Sequence, residues 1–427
     1  MTSLFLAERW SRVGDTVSAI NCQLASLAAQ NRQTKICCVV LKATEEEKKD
    51  AADCGVELIQ PCFNKHVLDI FKDDKPTSDW ILSPETFFTT LLELQNVEYI
   101  VEHIQSSTIS LISVVLKDRF FKHADIVLIN HGIPPADLRQ KYLKFAEAAE
   151  AVFSVGPTVF KEYNLIYRGN EIHINHLLYL PRPEKDFFDL NVDQQLSKSD
   201  SVKQILSIIT DKDVKCDKYK FLSAVIGQTA VALESVIGDI PKWFVRISSQ
   251  ADPTDTKNFL KDNLECSFIE PNAHSLNSSQ QHAITDLQQS NVLVIPPDEP
   301  FSMEALQAIA AGLPVLVPKR TATAEFLGKY FKADAEHFLY DPLVDGGLSK
   351  QINKMLLKSE QASHAILVLK SKLQSNSEVT ATHENFKSCF MKHLRLLHYK
   401  GKSHRFPGWD SKSGRKKATI FQGCCKS

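Results

Sequence analysis

The sequence predicts an α/β protein built from two doubly wound parallel sheets in tandem. Three observations predict it. Short apolar runs of strand length alternate with helix-length runs from residue 3 to about residue 155. The same alternation restarts near residue 204. Between them Pro181, Pro183 and Asp186 lead into a polar run, 193–201, that breaks the pattern. Strands separated by helices of this length need crossover connections, so successive strands are parallel. A chain of 427 residues also exceeds one ordinary core, which agrees with two domains.

In the first half, 3–7 reads as a strand and 17–29 as a helix. The run 35–41, with Cys37, Cys38, Val39 and Val40, has the continuous apolar character of a buried strand. Thr44, followed three residues later by Glu47, forms a capping box that opens a helix to about Cys54. Strands follow at 56–60, 98–103, 125–130 and 152–155, with helices at 84–95, 107–121 and 136–150. In the second half, strands are expected at 204–209, 243–247, 267–269, 292–295 and 315–317. Helices are expected at 219–233, 254–264, 279–289 and 303–311, and two long ones, 348–374 and 379–398, close the fold. These elements form two Rossmann-like domains, 1–183 and 202–376, with a linker at 184–201. Ligands bind such sheets outside the carboxyl ends of the strands, so the cleft between two of them is the expected site.

Composition excludes several classes. With 43% hydrophobic and 24% charged residues, the chain is an ordinary globular protein. A net charge of −1 supplies no global field for nucleic acid. No run approaches the roughly 18 apolar residues of a membrane span. The apolar run at Leu4-Phe5-Leu6-Ala7 is too short for a signal peptide. Ten scattered cysteines without paired metal-ligand spacing read as buried free thiols of a reducing compartment, hence a cytoplasmic protein. His173 and His176, three apart on a strand, fall on opposite faces and make no metal site. The tail 399–427 is basic and reads as disordered, making weak contact with acidic surfaces. Its end, Cys424-Cys425-Lys426-Ser427, has the length of a prenylation box, but Lys426 stands where an aliphatic residue belongs.

The most informative stretch runs from Pro297 to Val315. It reads as an acidic loop, a helix N-terminus, an Ala-rich helix, a glycine stop and a strand. A helix N-terminus beside a carboxylate can hold a phosphate and a hydroxyl-bearing group attached to it. The stretch resembles the donor-site signature of the retaining family 4 glycosyltransferases, which have the GT-B fold: two Rossmann-like domains facing across a cleft. Glu299 fits the first glutamate of that signature and Phe301 its central aromatic. Ala308-Ile309-Ala310-Ala311-Gly312-Leu313-Pro314-Val315 fits its tail.

The resemblance implies a nucleotide-diphosphate sugar as donor and co-substrate, an unknown acceptor, and neither metal nor resident cofactor. Glu299 would hold hydroxyls of the transferred sugar, and the backbone amides of Ser302, Met303 and Glu304 would face the donor. Gln307 stands where the family has its second glutamate, which grips the ribose; an uncharged amide forfeits about 1 kcal/mol of charge-assisted bonding there. Lys215, on the loop after strand 204–209, would neutralise the diphosphate, while the family's arginine position falls near Thr210. Gly14 lies in the loop Arg12-Val13-Gly14-Asp15-Thr16, where the family is glycine-rich near the donor phosphates. His131, after strand 125–130, fits the active-site histidine, and His103 is a second cleft residue. The helix 377–398 would cross back onto the first domain. Two readings follow: a retaining, metal-independent sugar transferase, or a GT-B module impaired at Gln307, Thr210, Ser302 and Asp15 that serves as a binding or regulatory protein.

Overall fold

A computed structural model describes residues 2–7, 9–12, 16–30, 34–40, 43–60, 94, 96–104, 112–133, 136–172, 174–190, 204–209, 242–247, 269–270, 280–297, 301–344 and 346–400. The first sheet contains β1 (Thr2–Leu6), β2 (Lys35–Val39), β3 (Val56–Ile59), β4 (Val97–Ile104), β5 (Asp125–Asn130), β6 (Ala151–Val155) and β7 (His176–Tyr179). Their order is β3-β2-β1-β4-β5-β6-β7, and every pairing is parallel. The second sheet contains β8 (Gln204–Ile209), β9 (Lys242–Ile247), β10 (Ile269–Glu270), β11 (Val292–Val294), β12 (Val315–Pro318) and β13 (Leu339–Tyr340). It runs β10-β9-β8-β11-β12-β13, again parallel throughout. Each sheet steps outward on one side and then reverses, at β1/β4 in the first and β8/β11 in the second. Those reversals are the switch points where crossovers diverge and leave a crevice.

The helices are α1 (Thr16–Ala29), α2 (Glu45–Asp53), α3 (Ile112–Arg119), α4 (Arg139–Ala148), α5 (Gly156–Gly169) and α6 (Lys185–Phe188). They continue with α7 (Gln280–Gln289), α8 (Met303–Ala311), α9 (Ala322–Phe331), α10 (Gly347–Leu357), α11 (Ser359–Gln374) and α12 (Ser377–Lys400). Central strands are buried along their length, as β1 and β6 show, because helices cover both faces. α2 begins with the capping box read from Thr44 and Glu47, each side chain bonding the other's backbone amide. No helix among the described residues is long and apolar enough to cross a membrane. Cys22, Cys37, Cys38, Cys54 and Cys389 are free thiols. Burial raises Cys37 to about 11 and Cys38 to about 12, which leaves them protonated and unreactive.

α12 packs on the first sheet. Phe386 meets Phe153 edge-on, and Phe390 lies against Phe5 and Tyr99. Tyr99 donates its hydroxyl proton to the Cys389 carbonyl at 3.1 Å, and Leu180 N donates to Thr382 Oγ1 at 3.2 Å. The C-terminal helix thus shares a core with β1, β4 and β6.

Some elements differ from the sequence reading. α5 was not expected from the sequence. Gly156 takes a left-handed φ of +80°, and Pro157 occupies the first turn, where its missing N–H costs nothing. α9 and β13 were not expected either, being short or interrupted by polar residues, whereas β7 carries His176, which the sequence places on a strand. The expected helix 348–374 is two helices, broken at Lys358 (φ −112°, ψ 47°). Residues 185–188 of the expected linker form α6 and bury Phe187. The expected helices 84–95, 219–233 and 254–264, most of the linker and the basic tail lie outside the described residues.

Candidate functional site

Three groups of residues meet between the carboxyl ends of the two sheets. The first is a histidine pair. His131 follows β5, and His103 lies near the end of the adjacent β4, where it pairs in register with Ile129. Their rings stack with centroids 5.0 Å apart, and His103 Nδ1 lies 2.7 Å from His131 Nε2. His103 Nε2 reaches Asn21 Oδ1 on α1 at 3.0 Å. Asn21 Nδ2 donates to Cys38 Sγ, which orients the amide. An amide oxygen only accepts, so His103 Nε2 carries the proton. In the neutral ring, His103 Nδ1 then accepts from His131 Nε2–H. His131 Nδ1 is left as a buried bare acceptor with no hydrogen-bond partner among the described residues. Burial pushes His103 down to about 3. Burial, and then the neighbouring His103, push His131 well below its ordinary value. Both rings are therefore neutral near pH 7 and suit a hydroxyl rather than a phosphate.

The second group is the N-terminus of α8. Every residue of this helix is buried, and it ends on Gly312 at φ +81°. Leu313 N bonds the Ala308 carbonyl across the last turn in a Schellman ending. Ser302, at a position that is glycine in the family signature, is the N-cap: its Oγ accepts from Ala305 N at 3.1 Å and donates to Glu304 Oε2 at 3.0 Å. Glu304 is buried (4% exposed) in the first turn, where the helix dipole favours its charge. The amides of Ser302 and Met303, read from the sequence as facing a donor, are instead donated within the protein. Ser302 N bonds Thr323 Oγ1 at 2.8 Å, and Met303 N bonds Thr16 Oγ1 at 3.2 Å. Thr16 in turn donates to the Phe301 carbonyl at 3.0 Å, and Gln307 Nε2 donates to the Arg12 carbonyl at 2.9 Å. The Arg12 guanidinium bonds Asp50 and Glu184, each at 2.8 Å.

Phe301 is packed inside the protein, against Phe326 and against Gly156. A Cβ built on Gly156 would lie 3.1 Å from Phe301 Cδ2, at a φ that L side chains rarely adopt. Gly156→Ala is expected to cost about 1–3 kcal/mol through strain and overpacking, read as a lower urea midpoint. A wild-type midpoint would show that Phe301 yields freely.

The third group lines a cavity of about 360 Å³ between Gly132, Ile133 and Thr158 on one side and Pro297, Lys319 and Arg320 on the other. Thr158 Oγ1 bonds Glu325 of α9 at its edge. Glu299, Lys215 and Gly14 lie outside the described residues, although Pro297 and Phe301 flank the loop that carries Glu299. His103, His131, Phe301, Ser302, Met303, Glu304 and Gln307 converge on the region between the two sheets. Sequence reasoning missed Arg12, Thr16, Lys319 and Arg320 as participants. Lys319 and Arg320 carried a readable signal: adjacent cations directly after the strand that closes the resembling stretch.

Residues 4–384 match the family described as "Family 4 Glycosyltransferase in conflict systems". The chain belongs to this family. This family 4 glycosyltransferase has the GT-B fold, and its structure is similar to solved ones of low sequence identity. A glycosyltransferase from Rickettsia africae is 13% identical, with 92% of this chain and 98% of that chain covered at a TM-score of 0.60. HepE from Anabaena, in complex with UDP and glucose, is 12% identical, with 93% and 100% covered at a TM-score of 0.61. The trehalose-6-phosphate phosphatase N-terminal domain of Candida albicans is 11% identical, with 92% and 98% covered at a TM-score of 0.62. No curated protein matches the sequence.

Proposed function

We propose that the protein transfers a sugar from a nucleotide-diphosphate sugar to an acceptor hydroxyl, with retention and without a metal ion or resident cofactor. The observation that carries this reading is the family match over nearly the whole chain, on a fold that brings His131 and the start of α8 to one cleft. HepE is solved with UDP-glucose, which makes a uridine-diphosphate sugar the first donor to test.

In this reading Glu299 accepts hydroxyls of the donor sugar, and Lys215 meets the diphosphate charge as it develops. His131 lines the reacting face as a neutral ring. The bond from the sugar C1 to the phosphate oxygen breaks while a bond to the acceptor oxygen forms on the same face. The leaving phosphate takes the acceptor's proton, so no protein base is required. Gln307 gives one amide proton to the Arg12 carbonyl, which leaves its second amide proton and its oxygen for a ribose hydroxyl.

Calorimetry with UDP-sugars tests the reading. Saturable micromolar binding that weakens at least about a hundredfold in Glu299→Ala supports it, the cost of losing a charge-assisted bidentate contact. No binding at millimolar donor overturns it and leaves a GT-B module without transferase activity.

A further inference from the structure

The cavity between the sheets has a chemical bias that the donor reading does not use. Among its described lining residues the charged ones are Lys319 and Arg320, both cationic, and none is acidic. Both side chains are exposed, and neither makes an ion pair or hydrogen bond with another described residue. Arg12, by contrast, is paired with Asp50 and Glu184. Glu325 of α9, at the edge of the cavity, is engaged by Thr158. Arg320 sits at φ +72°, a left-handed conformation uncommon for a residue with a Cβ. That backbone follows β12 directly and keeps both cations at the carboxyl edge of the sheet. The rest of the wall includes Gly132, Pro297 and Leu343, which is 71% exposed and offers an apolar patch. A volume of about 360 Å³ is at the small end of ligand pockets.

The donor-motif residues Phe301 through Glu304 and Gln307 do not line this cavity; they are buried beside it. Gly132, the neighbour of His131, and Pro297, two residues before Glu299, do line it. The cavity thus reaches the residue next to His131, while the buried donor-motif residues stay outside its lining. We infer that it is the acceptor pocket and that the acceptor is a small anionic sugar, its phosphate or carboxylate held by Lys319 and Arg320. This rests on the sugar-transfer reading for the word acceptor, but not for the binding itself.

The test is calorimetry on the full chain with glucose 6-phosphate, glucuronate and glucose, beside a separate titration with UDP. At least one anionic probe is expected to bind about tenfold or more tighter than glucose, and the two anions tell a phosphate from a carboxylate. That preference should vanish in a Lys319→Gln, Arg320→Asn double variant, where asparagine suits the left-handed backbone. Arg320→Lys alone should restore part of it. The double variant alters exposed side chains, so its urea midpoint should match wild type. Equal binding of charged and neutral sugars, or an unchanged preference in the double variant, overturns the inference. Loss of UDP binding in that variant also overturns it, by giving the cations to the donor. In the wild-type protein, UDP binding without binding of either anionic sugar overturns the pocket and leaves the transferase reading standing.

Discussion

Gln307→Glu is expected to destabilise the protein by about 2–4 kcal/mol at neutral pH, although it restores the residue type of the family signature. Gln307 is only 4% exposed, and its amide donates to the Arg12 carbonyl at 2.9 Å. An ionised glutamate has no proton to donate. It would place a carboxylate oxygen against a carbonyl oxygen, on a helix with no solvated face. Glu304 lies one turn earlier on the same helix and is also buried, so two carboxylates would share one apolar surrounding.

The pH dependence tests the cause. Burial would raise the new carboxyl above its unfolded value of about 4.3, and its protonated form can donate to the Arg12 carbonyl. The deficit relative to wild type is therefore largest near neutrality and shrinks as pH falls toward about 5. Urea denaturation of both proteins at pH 7.5 and 5 measures it. A variant as stable as wild type at pH 7.5 would show that Gln307 does not tie α8 to the loop after β1.

The second large effect is acid sensitivity. Four histidines are held neutral by burial. His103 is lowered to about 3, His176 and His383 to about 4, and His131 well below its ordinary value. Each is bonded as a neutral ring. His176 contacts Ser154 Oγ at 2.8 Å and Asn164 Oδ1 at 3.0 Å, and His383 reaches the Leu180 carbonyl at 3.0 Å while stacking on Tyr179.

In the unfolded chain these rings protonate near pH 6.5. Between that value and the folded values, the unfolded state binds more protons, so stability falls as pH falls. It is fully present above about pH 6.5. Below that it is lost by on the order of 1 kcal/mol per histidine for each pH unit. Urea midpoints between pH 7.5 and 4.5 should drop steeply below about pH 6, and His383→Gln should remove about a quarter of that slope. A flat profile would mean that these rings are hydrated or protonated in the folded state.

Much of this was legible from local patterning. The alternation of strand and helix runs, the capping box at Thr44 and the Ala-rich helix closed by Gly312 are signals within a few residues. Burial and backbone geometry impose them locally. α5 went unread; in place, Gly156 supplies a left-handed residue and Pro157 fits the first turn that follows it. Ser302 looked like a lost glycine; in place it is a helix cap, and no neighbouring residue could show that Thr323 and Thr16 would take up the adjoining amides.

The sequence alone determined the class of protein: its parallel α/β halves, its resemblance to family 4 glycosyltransferases and the stretch around Glu299 where a donor belongs. Only the tertiary structure decided which partners those residues have. Thr16 and Phe301 are 285 residues apart in the chain, and Gln307 and Arg12 are 295 apart. His103 and His131 meet because β4 and β5 are neighbours in register. Periodicity records which face of an element is buried, not what covers it. The bonds that tie α8 to the first domain and the cationic cavity exist only once the two sheets face each other.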